Sequence, residues 1–214
     1  MASANGPAAH EFDQDYWDRH WAQRPGGRPA AAQPPNPYLS RETSSLAPGT
    51  ALDAGCGTGA EAIWLAARGW AVTAADIAAE ALARAAQAPG AGRVRWVEAD
   101  LTSWAPETQF DLVTTCYAHP AMPQLAFYQR LATWVAPGGT LLIIGHRPAG
   151  HGDEHEPPAH ATVTAAGIAA VLDEASWQIV TAEEHTRTVT GDTVSGHPGE
   201  TVTLFDVVVR ARLS

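Results

Sequence analysis

The sequence predicts a doubly wound α/β fold, in which helices cover both faces of a mostly parallel sheet. Short apolar runs alternate with alanine-rich, helix-like runs from residue 50 onward, and such alternation is typical of parallel sheets. The first apolar run ends in a glycine-rich loop, Gly55 to Gly59, directly before a helix-like run. Two β-rich runs near the end of the chain are joined by a turn-rich stretch, which predicts a closing hairpin.

Each element is predicted in turn from its hydrophobic period and its turn residues. Five apolar runs predict strands at Ala51–Ala54, Ala71–Ala75, Val94–Glu98, Phe110–Thr115 and Thr140–Ile144. Helices are predicted at Ala60–Arg68, Ala78–Ala88, about Pro123–Val135 and Ala165–Glu174. The closing hairpin is predicted at Trp177–Ala182 and Val202–Val209, with turns around Gly191 and Gly196.

Residues 1–38 are predicted to be a tail, a short helix and a lid-like segment, ahead of a single domain at residues 39–214. Phe12 to Trp21 has the spacing of an aromatic, amphipathic helix. Pro25 to Pro37 is rich in proline, glycine and alanine, which predicts an irregular connection. A helix on such a tether can close over a site, so Tyr16, Trp17 and Trp21 are candidates for a substrate pocket.

Composition excludes several classes of protein. A chain of 214 residues is expected to form one core. The formal charge of −10 and the scattered arginines disfavour nucleic acid as a partner. No apolar run approaches the roughly 20 residues of a membrane span, and residues 1–10 do not resemble a secretory signal, so a cytoplasmic location without membrane contact is expected. The two cysteines are expected to stay reduced, and the chain to be a monomer or homodimer.

Three acidic residues stand at the ends of predicted strands around the glycine loop. The glycines alone suit either a dinucleotide or S-adenosylmethionine. Asp53 would repel a pyrophosphate but can hold an ammonium group, whereas Asp76 can accept hydrogen bonds from ribose hydroxyls of either ligand. Asp100, followed by Leu101, can accept from an adenine amino group, for which a dinucleotide enzyme has no particular need. Together these acids favour S-adenosylmethionine.

The ordered motifs resemble those of class I S-adenosylmethionine-dependent methyltransferases; they are Leu52–Gly59, Asp76, Ala99–Leu101, Phe110–Val113 and Pro137–Leu141. The resemblance implies a Rossmann-like, seven-stranded sheet whose last strand is antiparallel, and S-adenosyl-L-methionine as cofactor. It also implies that Asp53 and the loop residues Gly55, Cys56, Gly57 and Gly59 line the methionine portion. Asp76 would hold the ribose and Asp100 with Leu101 the adenine, and Ile77 and Thr115 are further candidates for cofactor binding.

The N-terminal run Tyr16–Trp21 and the short chain resemble the tellurite-resistance and thiopurine-type methyltransferases. That resemblance implies a small-molecule acceptor with a polarisable or heteroatom nucleophile, and an N-terminal segment that closes over the pocket.

Methyl transfer depends mainly on alignment, and a base is needed only when the nucleophile arrives protonated. The segment 114–120 follows the fourth strand, where the resemblance implies that the acceptor lies. It lacks the Asn/Asp-Pro-Pro-aromatic signature of many amine and nucleic-acid methyltransferases. His119 and His146 are the candidate bases. Tyr117, with Trp17, Trp21 and Trp104, can shape an aromatic pocket, although ordinary core packing explains such rings equally well.

A metal site is not predicted, although residues 151–155 match the pattern H-x-x-E-H. Glycines and prolines around them oppose the helix that the zinc chemistry requires. A looser site at His146, His151, His155 or His160 is the alternative. Two other functions stay open: a non-catalytic protein that binds S-adenosylmethionine, and a nicotinamide-dependent oxidoreductase.

Overall fold

The computed structural model describes residues 12–23, 34–148, 161–190 and 201–214, without the side chains of Thr190 and Val202. The strands are β1 (Thr50–Ala54), β2 (Ala71–Asp76), β3 (Val94–Glu98), β4 (Phe110–Cys116), β5 (Val135–His146), β6 (Trp177–Thr190) and β7 (Thr201–Leu213). The helices are α1 (Gln14–Ala22), α2 (Pro37–Thr43), α3 (Ala60–Ala66), α4 (Ala79–Ala86), α5 (Gln124–Ala132) and α6 (Ala165–Ala170), with a 3-10 turn at Ala91–Arg93.

The described strands form a seven-stranded sheet in the order β3-β2-β1-β4-β5-β7-β6. Strands β1 to β5 pair in parallel, and β7 lies antiparallel between β5 and β6. The predicted Rossmann-like sheet with an antiparallel last strand is therefore confirmed. Because the order reverses at β1 and β4, the carboxyl ends of these two strands flank the crevice where ligands bind in such sheets.

The central strands are buried on both faces, which explains their continuous apolar runs. Alternate residues face two separate cores. Leu112, Leu142 and Ile144 belong to the core that contains α3, whereas Val113 and Ile143 belong to the core that contains α5 and α6. The sheet is thus held from both sides, and its carboxyl edge is left to the loops.

Helix α2 was not predicted, since its sequence follows a proline-rich stretch. Asn36 caps the helix by accepting a hydrogen bond from the Tyr38 N–H at 3.0 Å, and Pro37 occupies the first turn, both favourable for a helix start. Leu39 is fully buried in the core. The predicted boundary between residues 38 and 39 therefore falls inside a helix that packs with the domain.

Five elements differ clearly in length from their predictions, namely α5, β5, α6, β6 and β7. α5 ends at Ala132, and β5 begins at Val135, where it pairs with Phe110. α6 ends at Ala170, before the turn that leads to Trp177. The hairpin strands are longer than predicted because β6 and β7 pair along their whole length, through polar residues that carry no apolar signal. The predicted tail at residues 1–10, most of the predicted connection Pro25–Pro37 and the turns around Gly191 and Gly196 lie outside the described residues.

Candidate active site

The glycine loop takes a conformation that its residue types make possible. Gly55, Gly57 and Gly59 have φ angles of +77°, +51° and +80°, a region that side chains with a Cβ disfavour. The Gly57 N–H donates to Asp76 Oδ2 at 2.7 Å, and the Gly55 N–H donates to the Ala75 carbonyl at 2.8 Å. The loop is thus tied to the end of β2.

Asp53 is a buried acid at the base of this loop. Its exposed fraction is 1%, and among the described residues its Oδ2 has no hydrogen-bond partner. Burial raises the pKa of Asp53 well above its usual value, and the carboxylates of Glu61 and Asp76 raise it further. A cation placed beside Asp53 would satisfy this oxygen and relieve the clustered negative charge.

Asp76 and Asp100 project at the ends of β2 and β3. Besides the Gly57 bond, Asp76 accepts from the Ala78 N–H at 2.9 Å, and it is 8% exposed. Burial raises the pKa of Asp76, against the opposing effect of these backbone donors. Asp100 accepts from the Thr102 N–H and hydroxyl at 2.8 and 2.7 Å. Each carboxylate keeps lone-pair capacity for a ligand, since a carboxylate offers about four acceptor sites.

A cavity of about 380 Å³ opens at this edge of the sheet, within the size range of small-molecule sites. Its walls include eleven of the residues predicted as site residues: Gly55, Cys56, Gly57, Asp76, Ile77, Asp100, Leu101, Trp17, Trp21, Tyr117 and His119. The walls also include Thr58 of the glycine loop, and residues that were not predicted individually as pocket residues, namely Phe12, Asp13, Gln14, Cys116, Ala118, Pro120, Ala121 and Phe127. One cavity therefore joins the glycine loop to the segment after β4.

Six candidates lie outside the walls of this cavity. Asp53 is buried beneath the loop, and an added Cβ on Gly59 would collide with the Trp96 ring. The Thr115 hydroxyl donates to the Ala54 carbonyl at 2.8 Å and so ties β4 to β1.

The other three are aromatic. Tyr16 packs edge-on against Phe12 and Trp17. Trp104 packs edge-on against Trp134 in the core, with ring centroids 5.6 Å apart, so its interpretation as a pocket residue is wrong. His146 stands one ring behind the cavity wall, stacked on Tyr117 and His119.

At the other end of the cavity, Tyr117 directly follows β4. It has a φ of +56° and is the non-glycine residue with a positive φ in the described chain. Its phenol donates to Asp206 Oδ1 at 2.8 Å and accepts from Arg187 and Asn36 at 3.1 and 3.3 Å. Burial raises the pKa of Tyr117 far above its usual value, and Asp206 raises it further. Tyr117 is therefore a neutral phenol and not a base at physiological pH.

A row of aromatic rings runs from Tyr117 to helix α1. The centroid distances are 4.6 Å from Tyr117 to His146, 5.4 Å from His146 to His119 and 5.5 Å from His119 to Phe12. Burial, followed by the charge of His119, lowers the pKa of His146 to about 4. His146 is thus a neutral, packed ring at physiological pH.

Gln124 and Trp17 hold the segment that carries His119. Gln124 donates from Nε2 to the Ala118 carbonyl at 2.9 Å, and its Oε1 lies 3.4 Å from His119 Nδ1. Trp17 Nε1 donates to the His119 carbonyl at 3.2 Å. With Gln124 Oε1 as the acceptor, the neutral form of His119 carries its hydrogen on Nδ1 and its lone pair on Nε2.

Among the described residues, no group of three or more His, Cys, Asp or Glu side chains is arranged to hold a metal ion. His151, His155 and His160 of the alternative metal site lie outside the described residues. The described part of the chain contains no helix with the length and apolar character of a membrane span.

Sequence reasoning missed the residues that hold Tyr117, and it missed Phe12 as a wall of the cavity. Asn36, Arg187 and Asp206 lie in three separate parts of the chain and match no motif. The available signal was one acid, Asp206, inside the apolar run of β7, since a buried carboxylate requires a partner.

Residues 51–139 match a family described as a methyltransferase domain. A probable thiol methyltransferase of Arabidopsis thaliana is 30% identical over 138 residues, and this match covers 60% of the chain and 60% of the relative. A solved structure reported for the conversion of a disulfide bond into a thioacetal group during echinomycin biosynthesis superimposes with a TM-score of 0.68 and 25% identity, over 94% of this chain and 91% of that one.

TehB from Haemophilus influenzae has the same fold, with a TM-score of 0.65 and 14% identity, over 94% of this chain and 67% of that one. The motif order, the strand order and the family match agree with one another. Residues 51–139 therefore resemble a methyltransferase domain in sequence, and the strand order of the sheet agrees with that resemblance.

Proposed function

We propose that this protein transfers a methyl group from S-adenosylmethionine to a small molecule, and that the acceptor atom is a thiol sulfur. The observation that carries the proposal is the shared cavity, which places the glycine loop and its acids at one end and an aromatic wall with His119 at the other. A methyl donor and an acceptor need this adjacency, because alignment supplies most of the catalysis in an in-line displacement.

The cofactor end has a group for each part of S-adenosylmethionine. The unpartnered Asp53 oxygen suits the ammonium of the methionine portion, and the loop Gly55 to Gly59 leaves room for its backbone. Asp76, followed by Ile77, is placed to accept from the ribose hydroxyls, and Asp100 from the adenine amino group. A dinucleotide pyrophosphate fits less well, since Asp53, Glu61 and Asp76 already repel one another at this end.

When bound, S-adenosylmethionine supplies a methyl carbon on a sulfonium, which a nucleophile attacks in line as the sulfonium becomes a neutral thioether. His119 takes the thiol proton at Nε2, so that the acceptor reacts as a thiolate. His146 is less suited as a base, because its pKa is lowered to about 4 and it lies behind the cavity wall. Its role is to support the ring of His119.

Sulfur is the acceptor atom that the cavity and the relatives favour. No Lys or Arg is among the described residues that line the cavity, so the described walls offer no counterion to an acceptor with fixed negative charge. A polarisable sulfur packs well against aromatic rings such as Phe12, Trp17 and Tyr117. The Arabidopsis relative is named a probable thiol methyltransferase, and the echinomycin protein is described by chemistry on a disulfide.

Within the N-terminal segment, residues 1–38, the part that precedes α2 is proposed to act as a lid on the domain of residues 39–214. Trp17 and Trp21 of α1 and Phe12, which directly precedes this helix, line the cavity. An aromatic lid excludes water from the reacting atoms. We also propose that the protein works as a monomer or homodimer in the cytoplasm.

The test is a turnover assay with S-adenosylmethionine and a panel of small thiols, alcohols and amines, with S-adenosylhomocysteine as the measured product. We expect product with thiols, and His119→Asn is expected to lower kcat by on the order of 100-fold. Product with alcohols or amines alone would overturn the thiol assignment. Calorimetric binding of S-adenosylmethionine without any product would favour a non-catalytic binding protein, and binding of a nicotinamide cofactor instead would favour an oxidoreductase.

A further inference from the structure

We propose that Arg187 and Asp206, two residues of the β6–β7 hairpin that do not line the cavity, are positioning residues for methyl transfer. They hold Tyr117 in its left-handed backbone conformation and thereby fix the aromatic wall against which the acceptor is aligned. The inference rests on the proposed function, since it assigns a role in that reaction.

The backbone of Tyr117 requires an external restraint. A non-glycine residue in the left-handed region costs roughly 1 to 2 kcal/mol, and it persists where surrounding contacts determine it. The Tyr117 N–H donates to the Ile144 carbonyl at 2.9 Å, which fixes the segment to β5. The phenol is fixed at the other side of the ring by Asp206, Arg187 and Asn36.

The restraint is strong because its charges are paired and largely removed from water. Asp206 is fully buried, and its two oxygens receive hydrogen bonds from Tyr117 and from Arg187 Nε, the latter at 2.6 Å. Arg187 also donates from a second nitrogen to the Tyr117 oxygen. Charge-assisted bonds of this kind are about twice as strong as neutral ones, and a buried carboxylate that loses its partner is costly.

Tyr117 transmits this restraint in two directions. Its ring supports His146, which supports His119 and then Phe12, over centroid distances of 4.6, 5.4 and 5.5 Å. The Cβ of the next residue, Ala118, lies where a side chain added to Gly55 would collide with it. A shift of Tyr117 therefore displaces the acceptor wall relative to the loop that holds the methyl donor.

The experiment compares Arg187→Met with Arg212→Met. Arg212 is the matched control, because it lies on β7 beside Gly138, away from the cavity. We expect Arg187→Met to lower kcat by about 10- to 100-fold while the Kd for S-adenosylmethionine changes less than about threefold. Tyr117→Phe, which keeps the ring but loses the phenol bonds, is expected to give the same division between kcat and Kd. Arg212→Met is expected to change neither quantity.

A second variant covers the case in which Arg187→Met does not fold because Asp206 is left unpaired. Arg187→Met with Asp206→Leu removes both charges together, and we expect it to fold and to show the same loss of kcat. If folded variants lose thermal stability but keep kcat, the residues only stabilise the hairpin and the proposal is wrong.

A readout without turnover separates this proposal from the proposed function. Cys116 lines the cavity next to Tyr117, and burial raises the pKa of its thiol well above the usual value. We expect Arg187→Met to increase the alkylation rate of Cys116 by iodoacetamide several-fold, measured by mass spectrometry, with no increase in Arg212→Met. Absence of turnover in the unaltered protein counts against the proposed function, whereas equal alkylation rates in both variants count against the role of Arg187.

Discussion

The two ends of the cavity are built in different ways. At the cofactor end, the bond between Gly57 and Asp76 joins residues 19 apart in the chain, and both belong to one β1–α3–β2 unit. At the acceptor end, Tyr117 is held by Asp206, 89 residues away, and Trp17 binds the His119 carbonyl across 102 residues. The cofactor end is thus local, and the acceptor end is assembled from distant segments.

This difference matches the division of labour that we propose. A unit of strand, glycine loop and helix forms the same kind of ligand site in each fold that contains it, because its residues are close together in the chain. An end assembled from a lid helix, a strand end and a hairpin can change its substrate without disturbing the cofactor site, because function on such folds is set by the attached segments. Substitutions at the two ends are therefore expected to separate cofactor binding from acceptor binding.

The largest expected effect is at the glycine loop. Gly57→Val is expected to weaken S-adenosylmethionine binding by more than about 100-fold, because a branched side chain is strained at positive φ and its Cβ would crowd the Trp21 ring on the cavity wall. Gly138→Val is the matched control, since Gly138 also has a positive φ of +76° but has open space at its Cβ position. Calorimetry should show lost binding in the first variant and normal binding in the second. Equal affinities would mean that the loop does not hold the cofactor.

An intermediate effect is expected from two rings of the N-terminal segment, one on α1 and one just before it. The Trp21 ring lies beside Gly57, whereas Phe12 packs against His119. Trp21→Ala is expected to raise the Kd for S-adenosylmethionine by about 10-fold with little change in the acceptor KM, and Phe12→Ala to do the reverse, because each loses the burial of one aromatic ring. Steady-state kinetics with calorimetry measures both constants.

Deletion of residues 1–24 should lower turnover strongly in a core that remains folded, and full activity would exclude a lid.

The smallest effect concerns His146 and pH. Its pKa is about 4 in the folded protein and about 6.5 in the unfolded chain. Between these values the unfolded chain binds the extra proton, so stability is full above about pH 6.5 and falls as the pH falls toward 4. Lowering the pH from 7 to 5.5 is expected to cost about 1 kcal/mol through this group. Urea denaturation at both pH values measures this change in the free energy of unfolding, and His146→Asn should reduce it. If the change with pH is the same in the variant as in the unaltered protein, His146 occupies a more solvated position.

Prediction from the sequence was most successful for features that depend on residues close together in the chain. The alternation of apolar and helical runs predicted β1 to β5, and two β-rich runs around a turn-rich stretch predicted the β6–β7 hairpin. The glycine loop with Asp53, Asp76 and Asp100 indicated that a ligand site lies at the carboxyl edge of the sheet. Helix α2 was missed because its cap, Asn36, stands in a proline-rich stretch, and the length of the β6–β7 hairpin was missed because its pairing does not depend on apolar residues.

By itself, the sequence determined the fold class and indicated the end of the cavity that we propose for the cofactor, since hydrophobic period, glycine conformation and strand-end acids act over a few residues. Only the tertiary structure decided that Phe12 faces His119, that Trp104 belongs to the core and that Arg187 and Asp206 hold Tyr117. Tyr117 and Arg187 are 70 residues apart in the chain, and Phe12 and His119 are 107 residues apart. Such pairings follow from strand register and helix docking, and no local pattern in the chain encodes which distant side chain will meet a given buried charge.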